Sequence, residues 1–257
     1  MGYFIIAVGL VLLWLLIYPL TDLFVRFVDP KVFKGGDPAA RKLCLTFDDG
    51  PDPRYTPELL QILRKEQVRA TFFLVADKAV AAPDLVRQII ASGHEIGFHT
   101  FKHRHAYLLF FNGSLKAVGE GRRKLEEVTG RPVFWFRPPW GALNLFQYLT
   151  ARVLRLRLVL WSANAQDWEI RTGTDGILER LKERVKPGGV IVLHDSGGDL
   201  GAPANTLAAV PEVIRWFKGQ GYQFVSLDEM ATHPLAPVSP KDTPLPASGK
   251  EGEQDSK

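Results

Sequence analysis

The chain has 257 residues, 46% of them hydrophobic and 23% charged, enough for one substantial core, and a formal net charge of +4. A balance this mild, without a long Lys/Arg block, argues only weakly for nucleic acid, which is not expected as a partner, and suits loose attraction to anionic envelope polymers or lipid headgroups. The single cysteine, Cys44, excludes a disulfide within the chain and a cysteine-built zinc site, and leaves the redox compartment open.

Gly2 to Thr21 carries no charged side chain. About 20 residues of helix cross the hydrocarbon of a bilayer, so residues 1–22 are predicted to be a transmembrane anchor with Tyr3 and Tyr18 near its two interfaces. A cleaved signal peptide and a buried core helix are the alternatives. The long apolar region, without a basic n-region or a small-x-small pattern after it, favours a retained anchor. Residues 23–41 read as a juxtamembrane linker. Arg26, Lys31 and Lys34 there give a weak positive-inside bias toward a cytoplasmic domain, which a folded domain can override on translocation.

Leu43 to Phe47 reads as a buried strand, and it ends in Asp48-Asp49-Gly50-Pro51. Adjacent carboxylates at the mouth of a buried strand repel each other and call for positive charge beside them. Thr56-Pro57 opens a helix to about Lys65 with Thr56 as its N-cap. Ala70 to Val75 is a second strand, and Ala82-Pro83 opens a helix to about Ser92 that Gly93 stops. His94 to Phe98 is a third strand ending at His99. A helix over about Ser114 to Thr129, closed by Gly130, precedes a fourth strand, Val133 to Phe136, that runs into Arg137-Pro138-Pro139-Trp140-Gly141.

A helical stretch to about Arg152 leads to a fifth strand, Leu156 to Trp161. Thr174 to Val185 is helical, Val190 to Leu193 is a sixth strand ending at His194, Thr206 to Lys218 is helical, and Gln223 to Val225 is a short last strand. From about Thr232 the chain turns Pro-, Ser- and charge-rich, and residues 232–257 read as a disordered tail.

Strands alternating with helices predict an α/β domain over residues 42–231 with a parallel sheet, as a barrel or an open doubly wound sheet. Asp48, Asp49, His99, Arg137, Asp167 and His194 all fall just beyond C-terminal strand ends. Barrel active sites are built on that face, whereas an open sheet gathers ligands at one switch point. Six residues from five strands favour a distorted or incomplete (β/α) barrel.

His99 and His103, four positions apart, project to one side if they lie on a helical turn. With Asp49 they form a His, His, Asp set suited to one catalytic divalent ion, Zn²⁺ first, with Co²⁺ or a similar ion as an alternative. Such an ion lowers the pKa of bound water and polarises a carbonyl. Hydrolysis then needs a base, for which Asp48 is the candidate, and an acid, for which His194 is the candidate. Asp167 would hold the tautomer of His194 and raise its pKa, and Arg137 would orient Asp48. His94 reads as a packed histidine at a strand start, since His94-Glu95 lacks the zincin spacing.

Taken together, Thr46-Phe47-Asp48-Asp49-Gly50, His99-Thr100-Phe101-Lys102-His103, Arg137-Pro138-Pro139-Trp140-Gly141, Asp167-Trp168 and Ile191-Val192-Leu193-His194-Asp195 resemble the polysaccharide deacetylase family, the carbohydrate esterases with a NodB homology domain. They occur in the family's order across about Lys42 to Leu227. The resemblance implies a barrel that hydrolyses the acetamide of an N-acetylated sugar, with Asp48 as base, Asp49, His99 and His103 as metal ligands, and His194 as acid. It further implies that Trp168 and Val192 border the acetyl methyl and that backbone near Trp140 helps bind the oxyanion. Asn164 stands where the family often has Asp, and Trp140 where it often has Tyr, which bears on substrate choice and rate.

The expected function is metal-dependent deacetylation of N-acetylglucosamine or N-acetylmuramic acid units in peptidoglycan or a chitin-like polymer. The expected partners are the glycan and, through the N-terminal helix, the cell membrane. Because that polymer lies outside the membrane, the domain is expected to be extracytoplasmic. The rival readings are a deacylase of a lipid-linked amino sugar, a catalytically silent carbohydrate-binding protein, and an amidase of small molecules.

Overall fold

The computed structural model describes residues 2–231; the tail expected over 232–257 lies outside them. Eight parallel strands form the sheet: β1 (Lys42–Asp48), β2 (Thr71–Leu74), β3 (Glu95–Phe98), β4 (Trp135–Phe136), β5 (Arg157–Leu158), β6 (Ala163–Asn164), β7 (Val190–His194) and β8 (Gln223–Phe224). Their order is β5-β4-β3-β2-β1-β7-β6, with β8 paired to the start of β1. This is the half-closed parallel barrel with surrounding helices that the spacing predicted. β6 was not anticipated, because two residues carry no periodicity.

Strand parity assigns the two faces. Leu43, Leu45 and Phe47 of β1 pack with Leu59, Leu63, Val210 and Ile214 of the helices, while Cys44 packs with Phe73, Trp135 and Val190 on the barrel interior. Side chains alternate along a strand, so Thr46 and Asp48 point to the interior with Cys44. Both faces are covered, which is why β1 is buried almost throughout. Gly97 of β3 makes room on the inner face: a Cβ there would lie 2.4 Å from the Phe73 ring.

The outer helices bury apolar residues three or four apart, as in Leu59, Leu60 and Leu63 of helix Thr56–Lys65 or Ile177, Leu178 and Leu181 of helix Gly173–Arg184. Each such side chain contributes about 1.5–3 kcal/mol relative to exposure. Thr56 is not the N-cap that its sequence context predicts. Its hydroxyl accepts from the Asp52 N–H at 2.8 Å and donates to buried Asp195, so tertiary partners take the group that a cap would use.

Residues 2–28 form one helix, Gly2–Val28, long and apolar enough to cross a membrane. The stretch read as a linker, 23–41, takes part in the fold. Val25 and Val32 are buried, and the Phe33 N–H donates to the Leu158 carbonyl while Leu160 donates back to Phe33. The Gly36 N–H donates to the Gly188 carbonyl. This segment therefore lies across the gap in the barrel, between β5 and the start of β7.

Candidate active site

The C-terminal ends of β1, β3, β4 and β7 converge on a cavity of about 490 Å³ lined by Asp48, Asp49, Lys78, His99, His103, Trp140, Trp161, Trp168, Val192, His194, Gly197 and Gly198. Asp48 ends β1 directly beside His194 of β7 in the ladder. Asp49 then adopts φ 71, and this left-handed residue turns the second carboxylate away from the first.

Asp49 Oδ1 lies 3.2 Å from His99 Nε2 and 3.1 Å from His103 Nε2. The oxygen is buried and has no hydrogen-bond donor. His99 Nδ1 faces the Arg137 carbonyl at 2.6 Å; donating its proton there leaves the Nε2 lone pair directed at Asp49. Three donor atoms thus converge from one carboxylate and two imidazoles, all within 4.8 Å of one another. The chemistry of this set, with an orphaned buried oxygen at its centre, fits a divalent cation.

The two histidines do not meet on a helical turn. Residues 99–105 form an irregular bend in which Thr100 takes φ 68, and backbone bonds from Ala76 to Thr100 and from Phe101 to Ala117 hold it. Burial pushes His103 down to about 4, opposed by the Asp49 charge. Burial alone would raise the Asp49 carboxyl, but the imidazoles of His99, His194 and His103 around it outweigh burial and hold it well below the usual range.

Arg137 is fully buried, donates from Nη1 to Asp48 Oδ1 at 2.6 Å and to Thr46 Oγ1 at 2.7 Å, and has its guanidinium carbon 4.1 Å from the Phe73 ring centroid. His194 lines the cavity with Nδ1 3.0 Å from Asp167 Oδ1. Asp167 Oδ2 accepts from the His194 backbone N–H at 2.7 Å and from the Thr206 hydroxyl at 2.9 Å. Burial disfavours the imidazolium, but the Asp167 charge and hydrogen bond outweigh it and push His194 up to about 9. Trp168 presents its ring edge-on to His194, with centroids 5.4 Å apart.

All ten residues singled out in the sequence therefore surround one site: eight line the cavity, while Arg137 and Asp167 stand behind Asp48 and His194. Asn164 does not line the cavity; it lies in β6, where its side chain accepts from Arg184 at 3.2 Å.

Sequence reasoning missed five contributors. Lys78 binds the Asp49 carbonyl at 2.7 Å and the Ser196 hydroxyl at 2.8 Å. Thr206 holds Asp167, and Trp161 forms part of the wall. Gly197 and Gly198 have φ of 75 and 68; a Cβ on Gly197 would lie 2.5 Å from Asp49 Oδ2, and one on Gly198 2.6 Å from the Trp168 carbonyl. The paired glycines after Ser196 were the one local signal available, since a Gly-Gly pair marks backbone that must approach something closely. Nothing local marks Lys78, Trp161 or Thr206.

The chain is similar to known proteins in sequence and in fold. The family model described as polysaccharide deacetylase matches residues 35–156. Over 190 residues the chain is 35% identical to the peptidoglycan-N-acetylglucosamine deacetylase of Bacillus cereus, spanning 73% of this chain and 87% of that protein. A solved peptidoglycan N-acetylglucosamine deacetylase in complex with an N-oxidanyl-benzamide superposes with a TM-score of 0.73 at 30% identity, over 78% of this chain and 92% of the other. A CE4 family pseudoenzyme from Bacillus anthracis superposes with a TM-score of 0.71 at 25% identity, over 79% and 69% of the two chains.

Proposed function

The chain belongs to the polysaccharide deacetylase family, and from that premise we propose that it is a metal-dependent N-deacetylase of N-acetylglucosamine or N-acetylmuramic acid units in peptidoglycan or a chitin-like polymer. We further propose that helix Gly2–Val28 anchors it in the cell membrane with the domain on the outer side. The fold likeness extends to a pseudoenzyme, so the reading rests on side chains. The observation that carries it is the combination, around one cavity, of the Asp49, His99 and His103 donor set with Asp48 ion-paired to Arg137 and His194 held by Asp167.

A divalent ion such as Zn²⁺ held by Asp49, His99 and His103 would polarise the acetamide carbonyl and lower the pKa of a bound water. Arg137 occupies Asp48 Oδ1, leaving Oδ2, which is 4.0 Å from His99 Nε2, free to take the proton of the attacking water. His194 gives its proton to the departing amine nitrogen as the C–N bond breaks, so the products are acetate and the free amino sugar. Asp167 and Thr206 keep His194 oriented with Nε2 toward the cavity. Trp168 and Val192 border the acetyl methyl, and backbone near Trp140 faces the oxygen on which negative charge develops.

Acetate release by the full chain in detergent, from peptidoglycan and from N-acetylated chito-oligomers with added Zn²⁺ or Co²⁺, tests this beside Asp48→Asn. Metal-dependent acetate that disappears in the variant supports the reading. A protein that binds the metal yet releases acetate from neither polymer overturns it.

A further inference from the structure

Large apolar side chains that face solvent are distributed unevenly. Among the described residues, all of them except Val80, Trp140, Ile170 and Leu200 lie on helix Gly2–Val28, on the 108–115 segment or on helix Leu145–Val153. These three elements touch one another. The Tyr18 hydroxyl donates to the Leu109 carbonyl, the Trp14 and Tyr107 rings are 6.3 Å apart, and Phe24 meets Tyr148 edge to face at 6.0 Å. The exposed residues thus gather on three elements in mutual contact, and an apolar cluster this size marks a contact surface.

The display is held rigidly. Asn144 Nδ2 donates to the Ala106 and Leu109 carbonyls and to Ser114 Oγ, a buried network that fixes the turn on which Leu108, Phe110 and Phe111 stand outward, with Leu108 and Phe110 about three-quarters exposed. Helix Gly2–Val28 also stays apolar on its open side beyond its first contacts with the domain, through Leu20, Leu23 and Phe27. Asp22 and Arg26, its charged residues, are turned inward and paired at 2.8 Å. Lys102, Arg104, Lys116 and Arg155 flank the apolar residues in sequence and are exposed.

We propose that this cluster seats in the interfacial layer of a lipid bilayer, so that the domain lies on the membrane beside its helix instead of hanging from a tether. Exposed basic side chains next in sequence to outward aromatics are the composition that binds anionic headgroups and partitions at their depth. The consequence concerns the active site: His105 touches both Tyr107, edge to face at 4.9 Å, and Trp140, tilted at 5.2 Å, and Trp140 lines the cavity. The mouth therefore opens beside the lipid surface and suits glycan held close to it. The inference rests on the anchor role proposed for helix Gly2–Val28, whose exposed first half enters the bilayer while Tyr18, Thr21 and Val25 stay packed on the domain.

The test is site-directed nitroxide labelling of the full chain in vesicles of phosphatidylethanolamine and phosphatidylglycerol, reading collision with oxygen and with a water-soluble nickel chelate. Cys44 is buried and does not compete for label. Leu10→Cys, Phe110→Cys, Leu149→Cys and Leu200→Cys are compared. Oxygen-to-nickel ratios several-fold higher at Phe110 and Leu149 than at Leu200 support the proposal. Aqueous ratios at both, with Leu10 in lipid, overturn it while leaving the anchor intact. Aqueous ratios at Leu10 as well remove the anchor and the proposal together. A label at Phe110 shielded from both reagents indicates packing against a second copy and also overturns it.

Discussion

Arg137 Nη1 meets Asp48 Oδ1 at 2.6 Å, with the guanidinium fully buried and the carboxylate nearly so. The pair joins the end of β1 to the end of β4 across the barrel interior. Removing one member leaves an uncompensated buried charge, which costs about 3–5 kcal/mol. Arg137→Ala is therefore expected to lower the denaturation midpoint and abolish acetate release. Arg137→Lys keeps the charge but loses the planar group that packs on the Phe73 ring and places Nη1 against both Thr46 and Asp48, and is expected to fold with reduced kcat. Urea titration and turnover measure the two effects separately.

His194 has its ionisation raised to about 9 against an ordinary value near 6.5. A base whose folded pKa is raised contributes stability that is complete below about 6.5 and is lost as pH rises through about 9. The same ionisation sets the alkaline limb of kcat/KM, because only the imidazolium can protonate the leaving amine. Asp167→Asn is expected to move that limb down toward neutrality. Thr206→Val removes one hydrogen bond to Asp167 and is expected to cost about 1 kcal/mol with a smaller shift in the same direction. A pH–rate profile for each variant checks both.

Gly197 has a left-handed backbone, and a Cβ there would press on Asp49 Oδ2. Gly197→Ala is expected to cost about 1–2 kcal/mol from the backbone alone. Displacement of Asp49 is expected to weaken metal binding at least tenfold, about 1.4 kcal/mol. Calorimetric titration with Zn²⁺ measures the second effect and thermal unfolding the first.

Chelation is expected to abolish acetate release without unfolding the domain, since the core lies among the strands and helices and not at the metal. Zn²⁺ or Co²⁺ is expected to restore it. His103→Ala is expected to bind metal more weakly while keeping its melting temperature. Activity after dialysis against a chelator, followed by metal addition, tests this.

Arg26 of the N-terminal helix donates from Nη2 to the carbonyls of Trp140, 3.1 Å, and Gly141, 3.0 Å. Trp140 sits at φ 55, so the loop is held in a conformation that a side chain seldom adopts. Arg26→Ala is expected to raise KM more than it lowers kcat, because it loosens a cavity wall and leaves Asp48 and His194 untouched. Steady-state kinetics on a soluble chito-oligomer separates the two constants.

The sequence by itself determined the alternation of strands and helices, the apolar N-terminal helix and the identity of the chemistry-bearing residues. Buried parallel strands must be continuous apolar runs, and an acid, histidine or arginine standing just past such a run is conspicuous. The distances among Asp49, His99 and His103 were not legible, because they depend on left-handed residues at 49 and 100 that no local pattern announces. Thr56, which looks like a helix cap, and Lys78, which looks like a surface lysine, take their roles from segments more than a hundred residues away: Asp195 and Ser196 meet them only after β7 pairs with β1. Residues 33–36 likewise read as part of a linker because four residues ending in Gly-Gly have no period, yet they bridge from the end of β5 to the start of β7. Local order follows from side-chain periodicity and turn chemistry, which act over a few residues. The site follows from sheet order and backbone handedness, which exist only once distant segments have packed.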